Sequence, residues 1–204
     1  CNESFTLKRK EHNMEFFEEN SGGGNGAGNY LKFLAKEKAW YIGENVFDME
    51  YILLDPETIK TGLGRYSGGY EFKFSDIPFS KVVVEDGYKK AFSVWAFCNN
   101  NEGAVQWERA AWGELQGFKS MCEKFWMQKA ANEGQLPCFR YLGSKPVKFD
   151  SGFSSEIPVF EFVAWKPRPE GFVIPTWASD EEASAPVANS PVAKTVITED
   201  DIPF

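Results

Sequence analysis

The last residues of the chain carry the chemistry that the sequence displays most clearly. The chain ends in Glu199, Asp200, Asp201, Ile202, Pro203 and Phe204. A partner that binds this ending needs a small apolar pocket for the Phe204 ring, a cation for the terminal carboxylate and a basic rim for the acids. Pro203 restricts the backbone, so less entropy is lost on capture. The predicted chemistry is protein docking; the alternative is a solvated tail whose ending has no partner.

This tip resembles the acidic C-terminus of bacterial and phage single-stranded DNA-binding proteins, where Asp-Asp-Ile-Pro-Phe is the familiar ending. The resemblance covers the tip and its tether, and no motif in the body matches. It implies an OB-fold that binds and protects single-stranded DNA without sequence specificity in replication, recombination and repair. It also implies that Asp200, Asp201, Ile202, Pro203 and Phe204 recruit replication and repair proteins. The dissimilar body points to a divergent phage protein acting in the host cytoplasm, with homo-oligomerisation left open.

The net charge of −8 is concentrated outside the middle of the chain. Residues 179–204 hold six acids against one lysine, and residues 1–20 hold five acids against three basic residues. Residues 21–178 therefore carry a net charge of only −1. The body neither excludes nor favours nucleic acid by charge, because a local basic groove is compatible with near neutrality.

An enzyme, a metal site and a cofactor are not expected. The single histidine, His12, precedes the body, so a histidine-based triad or metal site cannot be built there. Gly62-Leu63-Gly64-Arg65 lacks the lysine-hydroxyl pair of a phosphate-binding loop. A loose group of acids between 48 and 57 leaves a nuclease-like metal site as a weaker alternative to a solvated strand edge. The four cysteines have no Cys-x-x-Cys spacing and are expected to be reduced. No apolar run reaches membrane-spanning length.

Composition divides the chain into three regions. Residues 1–29 are predicted to be a flexible arm, since 21–29 is rich in glycine. Within it, residues 1–13 are either native or an expression remnant or extension upstream of a natural start at Met14. Residues 30–175 are predicted to form the single-stranded DNA-binding domain. Residues 176–204 are predicted to be a disordered acidic tail, because they can bury too little apolar surface to fold alone.

Within residues 30–175, alternating patterns predict strands at 30–34, 49–54, 70–74, 81–85, 90–98, 105–109, 138–141, 146–149 and 157–165. Apolar residues at helical spacing predict one helix over 114–132, stopped near Gly134. The fold class is therefore mainly β with one helix. The strand number alone leaves a β-sandwich equally open, and the resemblance favours the OB-fold, a small Greek-key β-barrel.

Sequence-tolerant binding of single-stranded DNA requires cations along the phosphates and flat side chains on which bases stack. Aromatic and basic residues interleave at 32–41, at 65–73 and at 89–95, and more weakly around Trp107, Arg109 and Trp112. Phe72, Phe74, Phe92 and Trp95 are expected in the core. Residues beside turns are better candidates for stacking. The predicted DNA-binding residues are Lys32, Lys38, Trp40, Arg65, Tyr66, Tyr70, Lys73, Lys89 and Lys90.

Two other functions stay open. An interaction or decoy protein would dock on host replication factors through the tip and bind DNA weakly. An RNA or duplex binder would use the same fold on a different nucleic acid.

Overall fold

The structure, a computed structural model, describes residues 29–75, 77–99, 101 and 103–175. The predicted arm before Asn29, and the predicted tail with its tip at 176–204, lie outside the described residues. The described part is mainly β with one α-helix, and its ten strands belong to one sheet. The predicted fold class is confirmed at this level.

The strands are short at the N-terminal end of the domain and long at its C-terminal end. They are β1 (Tyr30–Leu34), β2 (Ala39–Ile42), β3 (Asn45–Phe47), β4 (Tyr51–Leu54), β5 (Lys60–Tyr66), β6 (Tyr70–Ser75), β7 (Lys89–Cys98), β8 (Ala104–Arg109), β9 (Gln135–Lys148) and β10 (Ser154–Pro167). The helix α1 spans Trp112–Phe125. Short 3-10 segments cover Pro56–Thr58, Phe79–Lys81 and Trp126–Asn132.

The main path of the sheet is β10–β9–β4–β7–β8–β1–β2–β3, and β5 pairs with both β7 and β6. All neighbours are antiparallel except β1 and β8, which are parallel. Both β4 and β5 pair with β7, at different parts of its length, and the segment Pro56–Thr58 separates them. No pairing joins β3 to β10 among the described residues, so the sheet is not closed.

The two faces of the sheet differ. The core face carries the larger apolar cluster, which includes Phe92, Val94 and Trp107 and packs against Phe118 and Phe125 of α1. A smaller cluster around Trp95 and Phe172 lies on what we call the outer face, because residues alternate between faces along β7. Burial of both sets of rings removes a large apolar area from water, which is the main stabilising term of the fold.

The helix approaches β10 closely at two glycines one turn apart. A β-carbon at Gly113 would lie 2.2 Å from the Glu156 carbonyl oxygen, and one at Gly117 would lie 2.7 Å from that of Pro158. No larger residue fits either position without moving β10. The predicted helix over 114–132 is partly confirmed. Its regular part ends at Phe125, and the next turns are 3-10. No residue between 126 and 132 is fully buried, and of these only Trp126 packs against the larger core cluster, so packing favours α geometry less in this segment than in α1.

Several predicted strands are confirmed, at 30–34, at 70–74 and at 90–98 within one residue at each end. The predicted strand at 81–85 is wrong. Val82 is buried, but Val83 is 82% exposed and the segment pairs with no described strand. The predictions at 138–141 and 146–149 belong to one long strand, β9, and β2, β3 and β5 were not predicted. Glycines in β5 weaken its propensity, which explains why its pattern was missed.

Candidate nucleic-acid interface

The hairpin of β5 and β6 places two tyrosines at its tip. Tyr66 and Tyr70 are cross-strand partners on either side of the turn, and Gly68 adopts a positive φ of 73° there. Their side chains are 61% and 50% exposed, and their ring centroids lie 5.2 Å apart. These rings are accessible to a base, because they flank the turn at the end of the hairpin.

A row of rings continues from this tip along one side of β6. Tyr70, Phe72 and Phe74 alternate with charged residues, and neighbouring rings are within 9° of parallel at centroid separations of 5.9 and 5.5 Å. We call Tyr66, Tyr70, Phe72 and Phe74 the aromatic face. The expectation that Phe72 and Phe74 lie in the core is wrong, because both are half-buried and belong to neither core cluster. The row offers apolar, flat surface of the kind on which successive bases stack.

Two glycines of β5 lie beneath this row, and Gly64 makes room for a ring while Gly62 lets the backbone of β6 approach closely. Gly64 pairs with Phe72 and Gly62 with Phe74. A β-carbon at Gly64 would lie 2.7 Å from the Phe72 ring, so the ring covers the glycine backbone directly. Gly62 also pairs with Ala91 of β7, which lies on the outer face of the sheet. The aromatic face is therefore continuous with that outer face.

The opposite side of the hairpin carries charges that are already paired. The Arg65 guanidinium lies 2.8 Å (Nε) and 2.6 Å (Nη2) from Glu71 Oε2. Lys73 Nζ lies 2.8 Å from Glu85 Oε2. The Tyr88 hydroxyl donates to Glu71 Oε1 at 2.5 Å, and both cations lie over the Tyr88 ring, at 4.6 Å for Arg65 and 4.3 Å for Lys73. We call these five residues the Tyr88 network.

The network favours the charged forms of Glu71, Arg65 and Lys73. Hydrogen bonds from Tyr88 and Arg65 lower the pKa of Glu71 below its ordinary value. The hydrogen bond with Glu71 raises the pKa of Arg65, and that with Glu85 raises the pKa of Lys73. The two predicted cations thus stand beside the predicted tyrosines in sequence but on the other side of the hairpin, each with an acidic partner.

The other predicted lysines lie in different surroundings. Lys89 pairs in register with Gly64, is exposed and makes no ion pair with any described residue. Lys90 is half-buried, and its Nζ donates to the Phe79 carbonyl at 3.0 Å. Lys32 lies 5.9 Å from the Tyr41 ring centroid, and Lys38 is 2.9 Å from Glu156 Oε1. Lys89 is the predicted lysine best placed to contact a strand lying on the aromatic face.

Trp40 corrects the sequence prediction. It is expected beside a turn and facing solvent, but its side chain is only 2% exposed. Its ring lies within 6 Å, centroid to centroid, of the rings of Phe33, Trp107, Tyr141 and Phe160. Burying this large ring in the apolar interior stabilises the fold more than leaving it exposed beside a turn would. Trp40 is a core residue, and no base can reach it without unfolding.

A second exposed aromatic cluster at the β9–β10 hairpin was missed. Phe149 and Phe153 flank the turn, with ring centroids 5.9 Å apart, and Trp112 lies 4.8 Å from Phe149. Phe153 is 66% exposed and Trp112 is 42% exposed, and Lys145 and Lys148 on β9 are exposed too. The sequence carries a signal for this cluster, because Phe149 and Phe153 flank a turn with a glycine just as Tyr66 and Tyr70 do.

A polar patch on the outer face contains one acid with reduced charge. Gln106 Nε2 donates to Ser93 Oγ and to Glu108 Oε2, both at 3.1 Å. Burial raises the pKa of Glu108 from 4.5 to about 7, against the opposing effects of the Ser93 hydrogen bond and the Lys60 charge. The carboxyl therefore keeps its proton to a higher pH than an ordinary glutamate does. Its repulsion of a phosphate on the outer face is therefore weaker than that of an ordinary glutamate.

Three other features were predicted from the sequence or bear on other kinds of site: metal ligands, cysteines and membrane-spanning helices. Residues 29–175, outside the three gaps, contain no group of three or more His, Cys, Asp or Glu side chains arranged to hold a metal ion. Cys98, Cys122 and Cys138 are free and buried, and burial raises the pKa of each thiol. None of the described helical segments has the length and apolar character needed to cross a membrane.

The comparisons with known proteins add no family to this geometry. No family model matches the chain, and neither a curated protein nor a solved structure matches it significantly.

Proposed function

We propose that the protein binds single-stranded DNA with little sequence preference and recruits replication or repair proteins through 200–204. The observation that carries the DNA-binding proposal is the exposed aromatic face, with Lys89 beside it. Such a row accepts any base, because every base has a flat face to stack, and each stacked base contributes about 1–3 kcal/mol. The resemblance of the tip supports the recruiting role.

We also propose that the centre of the domain is a partly open barrel of the OB type, elaborated at its N-terminal end. If β4 and β5 count as one interrupted strand, β9, β4/β5, β7 and β8 are neighbours in the spatial order 4-1-2-3 of a Greek key. β10 then follows as the fifth strand beside β9. In this arrangement β1 occupies the free edge of β8, and β1–β3 extend the sheet beyond the five core strands.

The barrel proposal gives both aromatic clusters a common role. The β5–β6 hairpin belongs to the connection between the first and second core strands, and the β9–β10 turn connects the fourth and fifth. In OB-folds these two connections contact oligonucleotides. We therefore propose Trp112, Phe149 and Phe153, with Lys145 and Lys148, as a second DNA contact.

A titration with fluorescently labelled oligo-dT tests the DNA-binding proposal. We expect binding of oligo-dT much tighter than binding of a duplex or of an RNA of the same length. The affinity should fall steeply as salt rises, because counterions are released from the phosphates. Equal affinity for duplex and single strand would contradict the proposal, and a preference for RNA or duplex would favour a different nucleic acid on the same surface.

The recruiting proposal predicts that Phe204→Ala abolishes capture of a replication or repair partner while oligo-dT binding stays intact. The ring and the carboxylate fix the pose in the partner's pocket, where loss of such an anchor costs about 2 kcal/mol or more, whereas the acids add only screened attraction. Pull-downs with the wild-type chain and with the Phe204→Ala variant measure this. Ile202→Val is the control for a mild apolar change in the same tip. Equal partner recovery by wild type and Phe204→Ala would disprove the role.

One observation favours the alternative, an interaction or decoy protein that docks on host replication factors with little DNA affinity. Three of the predicted DNA-binding cations, Lys38, Arg65 and Lys73, are already ion-paired. The oligo-dT titration separates the two functions. Undetectable DNA binding combined with tip-dependent partner capture would favour the decoy.

A further inference from the structure

We propose that Glu71 and Glu85 occupy, in the free protein, the positions that two DNA phosphates take on binding. Arg65 and Lys73 then exchange a carboxylate partner for a phosphate when a strand binds. The two acids would thereby set the affinity and the salt dependence of the complex. This inference rests on the proposed single-stranded DNA binding.

Arg65 and Tyr88 form an anion-binding site, and the Glu71 carboxylate occupies it in the free protein. One carboxylate oxygen accepts from two Arg65 nitrogens, and the other accepts from the Tyr88 hydroxyl. A phosphate group offers the same feature, two adjacent anionic oxygens that accept hydrogen bonds from a guanidinium and a hydroxyl. Tyr88 is only 8% exposed, so the donor hydroxyl and the ring beside both cations are held in place by the fold.

The location suits a strand that stacks its bases on the aromatic face. Arg65 and Lys73 lie on the opposite side of the same hairpin, because neighbouring residues of a strand point to opposite faces. β6 pairs with β5 alone among the described strands, so no described strand is hydrogen-bonded to its outer edge. Bases and phosphates project from opposite sides of an unpaired strand. A DNA strand passing around the edge of β6 can therefore place its bases on the aromatic face and its phosphates on the side that carries Arg65 and Lys73.

The ion pairs are weak enough to be exchanged. The four charged side chains are between 40% and 55% exposed. Exposed pairs of this kind are worth little in water, since solvent screens them. A phosphate can therefore replace each carboxylate without a large conformational change. The exchange still has a cost, because each acid that is released must recover a counterion from solution.

The test compares Glu71→Gln and Glu85→Gln with wild type in oligo-dT titrations over a salt series. Each variant is expected to bind oligo-dT about two- to fivefold more tightly at low salt. The reason is that one exposed ion pair no longer competes with the phosphate for its cation. In wild type the counterion taken up by the freed acid offsets part of the release from the DNA, which is about 0.7 per phosphate for single strands. Without that acid, the plot of log affinity against log salt should steepen by up to about this amount in each variant. Glu161→Gln is the matched control. Glu161 forms an exposed cross-strand pair with Arg140 at 2.5 Å, so the variant makes the same charge change away from the Tyr88 network.

A double variant separates partner exchange from a general loss of repulsion. In Arg65→Gln, the further change Glu71→Gln should raise affinity much less than in wild type, because the cation paired with Glu71 is gone and only the weaker attraction of Lys73 remains. A gain of undiminished size in this background, or an equal gain in Glu161→Gln, would overturn the proposal. So would unchanged affinity and salt slope in both single variants while wild type binds oligo-dT. If wild type and all variants fail to bind, the proposed function itself is wrong.

Discussion

Replacing Glu114 with alanine is expected to destabilise the domain by about 3–5 kcal/mol, the usual cost of removing one partner from a buried charged pair. Glu114 is 2% exposed, in the first turn of α1. Its Oε1 accepts from the Phe33 backbone N–H at 2.9 Å and from Trp107 Nε1 at 3.1 Å, and its Oε2 accepts from Arg109 Nε at 3.0 Å. One carboxylate therefore joins α1 to β1 and β8, and alanine leaves these buried donors without their acceptor.

Urea unfolding followed by circular dichroism measures this loss. Glu123→Ala is the control, because Glu123 lies on the same helix but is half-exposed in a pair with Lys119 at 3.9 Å. It should change the free energy of unfolding by less than about 0.5 kcal/mol. Glu114→Gln keeps one acceptor oxygen and should fall between wild type and alanine. A loss below about 1 kcal/mol in Glu114→Ala would show that water or rearranged side chains satisfy these donors.

The second large effect is expected in the double variant Tyr66→Ala, Tyr70→Ala. If each ring stacks one base, the loss is about 2–6 kcal/mol in binding, which is at least about 30-fold in affinity. Both side chains are exposed at the hairpin tip, so their removal creates no cavity in either core cluster. The variant should therefore stay folded while its oligo-dT affinity falls.

Fluorescence anisotropy with labelled oligo-dT measures the affinity, and circular dichroism checks the fold. Tyr51→Ala is the matched control, since Tyr51 is 39% exposed but pairs near the opposite end of β7 from the hairpin. Its affinity should match wild type. Unchanged affinity in a folded Tyr66→Ala, Tyr70→Ala protein would show that the aromatic face is not the DNA-binding site. The β9–β10 cluster would then be the next candidate site.

The strands and the helix were predictable where their pattern is local. Tyr70, Phe72 and Phe74 alternate with charges, and period-2 alternation of this kind is the direct signature of a two-faced strand. The regular part of α1 is equally visible from Leu115, Phe118 and Phe125. β5 was not, because Gly62 and Gly64 have no strand propensity of their own. They belong to a strand because β6 and β7 pair with them, with the Phe72 ring covering Gly64 and the β6 backbone lying close against Gly62.

The candidate site divides in the same way. The sequence alone determined that Tyr66 and Tyr70 flank a glycine turn, and solvent exposure follows from that position. The acids, Pro203 and Phe204 of the tip are also read from the sequence alone, and their docking role stays a prediction because residues 176–204 lie outside the described part of the chain. The burial of Trp40 could not be seen, since Trp107, Tyr141 and Phe160 reach it from β8, β9 and β10.

Only the tertiary structure decided which of the predicted cations are already paired with acidic side chains. Arg65 and Lys73 appear in sequence as a basic frame around the tyrosines, with Glu71 between them. Strand register sends the cations to the other side of the hairpin, and the segment after β6 brings Glu85 and Tyr88 against them. Residue type and spacing determine what a side chain can bind. Which partner it meets depends on pairing between segments distant in the chain, and that pairing is set by burial of the whole core.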